Sequence, residues 1–69
     1  MYVAAIKSPS GRIAKRTFDS AELAARHLLI LMKADKWTGD ESEAVRSLTA
    51  GTPLEHKGFE YHVEPVSGP

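Results

Sequence analysis

From Phe18 to Trp37 the chain runs without a glycine or a proline. Ile30 is the one β-branched residue in that window, and most of the others are good helix formers. Asp19 followed three residues later by Glu22 has capping-box spacing, with Asp where Ser or Thr is usual. Phe18 and Leu23 then fall at the N′ and N4 positions of a hydrophobic staple. Lys33 and Lys36 stand where cations suit the negative end of a helix dipole. The stretch predicts a long helix over 18–36, and the rest of the chain must be arranged around it.

The apolar arc of that helix is wider than a surface helix needs. Leu23, Ala24, His27, Leu28, Ile30, Leu31 and Ala34 form the face expected to meet a core, and Glu22, Arg26, Lys33 and Lys36 form a polar stripe. Leu29 falls within the polar stripe, and Met32 lies at its edge beside Ala25. Five consecutive apolar residues, Leu28 to Met32, require two covered sides, or one covered side and a partner. A helix held between a sheet and a second helix meets the first requirement. A self-association or target-binding face at Ala25, Leu29 and Met32 meets the second.

Sixty-nine residues make one domain, spanning 1–69 with 66–69 as a frayed tail. A chain this short has a thin core, and small domains often add a disulfide, a metal or a partner chain. Cysteine is absent, which removes disulfides and thiolate zinc sites together. A homodimer therefore stays open as a source of buried area. No run approaches the ~18 apolar residues of a membrane span, and the N-terminus lacks the charge order of a signal peptide, so a cytoplasmic location is expected. The formal charge is zero, but residues 1–36 carry a balance of +4 and residues 37–69 a balance of −4. Such asymmetry marks an interaction face or cancels in space.

Tyr2 to Lys7 reads as a strand apolar on both faces, hence central or covered. Ser8-Pro9-Ser10-Gly11 fits a type I turn, and Arg12 to Thr17 returns as a polar edge strand. In that strand Arg12, Ala14 and Arg16 point one way, and Ile13, Lys15 and Thr17 the other. Trp37 is expected to close the core at the helix end, its indole N–H donating to a carbonyl. Asp40 and Glu43 start a second helix over about 41–50, and Gly51 and Pro53 stop it. Leu54 to Val66 reads as a second hairpin. A four-residue loop pairing Leu54 with Phe59 is expected there. A two-residue Lys57-Gly58 loop would set Glu55 opposite Glu60, which like charge disfavours. The expected fold is α+β in the order ββααββ, two hairpins forming a small antiparallel sheet with two helices on one face. Its expected core is Tyr2, Ile6, Phe18, Leu23, Leu28, Leu31, Val45, Leu48, Phe59, Tyr61 and Val63.

Chemistry-bearing constellations are sparse. His27 reads as a core-edge histidine, and His56 as a turn residue. His62 lies between Glu60 and Glu64 on a solvated strand face, where no ligand set converges. Each serine has a local turn or helix-start explanation, and Ser8 to Arg12 lacks the Walker pattern. No catalytic residue, metal ligand or cofactor site is expected, and the chain is read as a non-enzyme. Two binding hypotheses follow. Lys7, Arg12, Lys15 and Arg16 make a basic hairpin able to lie along phosphates, and two helices joined at Trp37-Thr38-Gly39 have helix-turn-helix order. Ser47-Leu48, Gly51 and Gly58-Phe59-Glu60-Tyr61, with Phe18-Asp19-Ser20 and Glu22-Leu23-Ala24-Ala25, are similar to the small DNA-binding modules found beside homing endonucleases. Against that role, the second helix is acidic where recognition calls for Arg, Asn or Gln.

The second hypothesis leads. A strand hairpin followed by Phe-Asp-Ser-x-Glu, in a tiny cysteine-free chain, resembles small phage-encoded accessory proteins, anti-CRISPR inhibitors among them, over residues 12–26. The resemblance implies an inhibitor or adaptor that acts by sterically occupying a host protein or nucleoprotein complex. It carries over no functional residue. The candidate partner-binding residues are Lys7, Arg12, Lys15, Arg16, Arg26, Leu29 and Met32, with nucleic acid as the alternative partner.

Overall fold

The computed structural model describes residues 1–66. Its element order is β1 (Tyr2–Lys7), β2 (Ile13–Phe18), α1 (Ala21–Ala34), α2 (Glu41–Thr49), β3 (Leu54–His56) and β4 (Phe59–Pro65). The four strands form one antiparallel sheet in the order β2-β1-β4-β3. The fold is α+β, with the expected ββααββ order.

The registers sort every strand residue by face. Tyr2, Ala4 and Ile6 of β1 sit opposite Phe18, Arg16 and Ala14 of β2 and opposite Pro65, Val63 and Tyr61 of β4. This is the helix-covered face, because Ala4, Tyr61 and Val63 form one buried cluster with Ala24, Ala25, Leu28, Met32 and Leu48. The other face carries Lys7, Lys15, Thr17, Glu60, His62 and Glu64. Its polarity is that of an antiparallel sheet with one side open to water. Ala5, expected to need a covering layer, is fully buried without a helix over it. Its register neighbours Lys15 and His62 close over so small a side chain.

The helix limits correct the sequence reading at both ends of the expected 18–36 helix: α1 stops at Ala34, so Lys36 lies beyond its last turn, and it starts at Ala21. Ser20, not Asp19, caps α1: its backbone is extended (φ −135°, ψ 158°) and its Oγ accepts from the Leu23 amide at 3.2 Å. The start moves because β2 runs on through Phe18. Leu23 rather than Glu22 then occupies N3, so no capping box forms, and the expected Phe18–Leu23 staple is lost with it. Glu22 pairs instead with Arg26, one turn on, at 3.0 Å. Asp40 caps α2 as expected, accepting from the Glu43 amide at 3.0 Å.

Both helices end in Schellman motifs. After α2, the amides of Gly51 and Thr52 donate to Leu48 and Ser47. After α1, those of Lys36 and Trp37 donate to Lys33 and Met32. Gly51 takes the left-handed position at φ 89°, whereas Lys36 takes it at φ 67°.

The second hairpin also departs from expectation. Leu54 pairs with Tyr61, Glu55 with Glu60 and His56 with Phe59, so the loop is the two-residue Lys57-Gly58. Both loop residues have positive φ (53° and 84°), as a type I′ turn requires. That turn matches the strand twist, and the Glu55–Glu60 pair is tolerated on the open face, where Lys7 stands on the other side of Glu60. Trp37 packs against the core cluster, although its indole N–H finds no protein acceptor among the described residues. Val66, expected to begin a frayed tail, donates to the Met1 carbonyl. The remainder of that expected tail lies outside the described residues.

Candidate partner-binding face

The face of α1 expected to meet the core does so in part, with Ala24 and Leu28 fully buried, but the side expected to bind a partner is buried with it. Met32 and Ala25 are fully buried and Leu29 is 7% exposed. α2 packs along α1 on this side, so Leu29 and Met32 belong to the helix–helix interface and are withdrawn as partner-binding residues. Leu23 and Ile30, assigned to the core, are 51% and 66% exposed. The reason is positional. One sheet and one second helix cover about two sides of α1, and α2 lies on the side of Leu29, which shares a surface cleft with Val45.

The uncovered side of α1 is continuous at helical spacing: Leu23, His27, Ile30, Leu31 and Ala34 fall at i, i+4, i+7, i+8 and i+11. His27 and Leu31 are half-buried and lead down to the sheet. There an apolar groove of about 220 Å³ opens between α1 and β2. Ala4, Ile6 and Ala14 form its floor, and His27, Leu28 and Leu31 its helical wall. Short floor residues create it, since Ala14 of β2 leaves a gap that a larger strand residue would fill.

At one end of the groove three side chains are stacked. The Arg16 guanidinium lies 5.7 Å from the centre of the Phe18 ring, and the Phe18 and His27 ring centres are 5.0 Å apart. Burial, and then the Arg16 charge, hold the His27 imidazole below its ordinary pKa. The core-edge reading of His27 fits this position.

β2 itself is the long free edge of the sheet. It has β1 on one side and no strand on the other, so its outward backbone N–H and C=O groups have no strand partner. Ile13, at its start, is 57% exposed. The opposite edge, β3, has three residues. It is tied down where His56 Nε2 lies 2.8 Å from the Asp35 carbonyl and Lys57 lies 3.7 Å from the Asp35 carboxylate.

The remaining sequence-predicted residues divide. Lys7 and Lys15 lie on the open sheet face, Lys7 opposite Glu60 and Lys15 paired with Glu64 at 3.7 Å. Arg26 is engaged with Glu22 on the outer surface of α1. Arg16 stands at the groove, and Arg12 lies in the turn that leads into β2. Neither makes an ion pair among the described residues. The structure therefore brings Arg16 together with His27 and Leu31 at the groove, not with Leu29 or Met32. A helical wheel finds the uncovered stripe but cannot say which of two apolar sides receives the second helix.

Among the described residues no three His, Asp or Glu side chains are grouped to hold a metal, and no helix is long and apolar enough to cross a membrane. No protein-family model, curated protein or solved structure matches the chain.

Proposed function

We propose that this chain is a non-enzymatic protein-binding module, an inhibitor or adaptor that acts by sterically occupying a partner protein. The observation that carries the proposal is the juxtaposition of a free six-residue edge strand with an uncovered apolar helix flank across an open groove. Contiguous apolar surface bordered by unpaired cations marks an interaction site rather than a solvated face. The sequence resemblance to small phage-encoded accessory proteins agrees with a host protein as target. Nucleic-acid binding has weaker support, because two of the four hairpin cations stand beside Glu60 and Glu64 and α2 opens with Glu41 and Glu43.

The test compares capture from a bacterial lysate by the wild-type chain and by a Leu23→Glu/Ile30→Glu double variant, with and without nuclease. Both replaced side chains are exposed, so the fold should survive, as circular dichroism would show. A nuclease-resistant protein band lost in the double variant is the expected result. An identical band in both would refute this face, and nucleic acid released by salt would favour the other role.

A further inference from the structure

Resting on the protein-binding role proposed above, we infer that the segment recognised is an extended strand bearing acidic residues, which adds to the sheet alongside β2. Three observations converge on that occupant. First, alternate residues of the six-residue β2 (Ile13, Lys15 and Thr17) turn their backbone N–H and C=O outward, the template on which an incoming strand makes main-chain hydrogen bonds. Secondly, an added strand would lie just beyond β2, with alternate side chains projecting to the helix side. There they meet the groove over Ala14, walled by His27 and Leu31 of α1, whose outer flank carries the exposed Leu23 and Ile30. On that side an apolar residue lies over Ala14, and the positions two residues to either side of it fall beside Arg12 and Arg16. Thirdly, the edge is cationic: Arg12, Lys15 and Arg16 lie in or beside it, and Arg12 and Arg16 have no acid partner among the described residues. Carboxylates on the incoming strand supply the missing charge.

The same charges disfavour a second copy. An antiparallel β2–β2 pairing centred on the strand, with the outward backbone groups of the two copies meeting, sets Lys15 directly opposite Lys15, and like charges opposite one another destabilise a ladder. A cationic edge on its own guards against stray pairing. A cationic edge next to an open apolar groove selects an acidic partner and rejects its own kind.

The test uses a displayed library of random peptides selected on the wild-type chain. Enriched peptides are expected to carry an apolar residue with an acidic residue two positions to either side of it, so that all three share the face of Arg12, Ala14 and Arg16. Binding of the best of them should fall by about tenfold or more with Arg16→Glu, and should be lost when alternate peptide amides are N-methylated. The outward amides of Ile13, Lys15 and Thr17 should gain protection from hydrogen exchange in the complex. Peptides with apolar residues at helical spacing, insensitive to N-methylation yet lost with Leu23→Glu/Ile30→Glu, would overturn strand addition and leave the protein-binding role standing. No enrichment, or peptides indifferent to that double variant, would overturn both. Concentration-dependent self-association of the wild-type chain on sizing, with the outward amides of β2 protected from exchange in the associated form, would show that the edge takes a second copy instead.

Discussion

Lys36 holds the left-handed position that ends α1, and nothing pairs with its ammonium among the described residues. A side chain there is strained, as the glycine at the matching position after α2 is not. Lys36→Gly is expected to stabilise the fold by about 0.5–1 kcal/mol, the strain relieved exceeding the added chain entropy; chemical denaturation would show the midpoint rising. His27 supplies a second test at this scale. Burial and the Arg16 charge lower its pKa from 6.5, so the folded state prefers the neutral ring. The related stability is complete above the unfolded value and is lost as pH falls from there toward the depressed folded value. The His27 ring resonances should titrate with a midpoint below 6.5, and Arg16→Ala should move that midpoint upward. A midpoint at or above 6.5 would contradict the packing of His27 between Phe18 and the groove.

At the scale of elements, the position of each helix is testable by contrast. Ser20→Ala should cost about 1 kcal/mol as the loss of an N-cap, and Asp19→Ala less than about 0.5. Met32→Ala should cost about 2–5 kcal/mol and Ile30→Ala little, since one side chain is fully buried and the other is two-thirds exposed. Urea midpoints of the four variants decide both contrasts. The element order, the first hairpin and the α2 cap were legible in the sequence. Ser8-Pro9-Ser10-Gly11 and Asp40 each act through local geometry, visible within a few residues. The loop of the second hairpin was not. Repulsion between Glu55 and Glu60 argued for a longer loop, but the twist of Lys57-Gly58 and the nearby Lys7 outweigh it. The facing of α1 was not legible either. Its two apolar sides are both real, and only the tertiary position of α2 decides which one is buried. Leu29 and Met32, chosen from that facing, are both buried, while Arg12 and Arg16, chosen from the strand, make no ion pair among the described residues.

For the whole molecule, the opposed charges of the two chain halves meet on the open sheet face, where Lys15 joins Glu64 and Lys7 faces Glu60. They do not cancel at the β2 edge, which leaves the molecule one cationic, apolar-flanked border. The central claim is that α1 buries Ala25, Leu29 and Met32 beneath α2 and turns Leu23 and Ile30 outward beside that border. The most direct measurement is methyl NMR of the Leu- and Ile-labelled chain with a soluble paramagnetic probe. The account expects strong signal loss at Leu23 and Ile30 and little at Leu28, Leu29 and Leu48. Protected Leu23 and Ile30 with a bleached Leu29 would reverse the helix and remove the binding face.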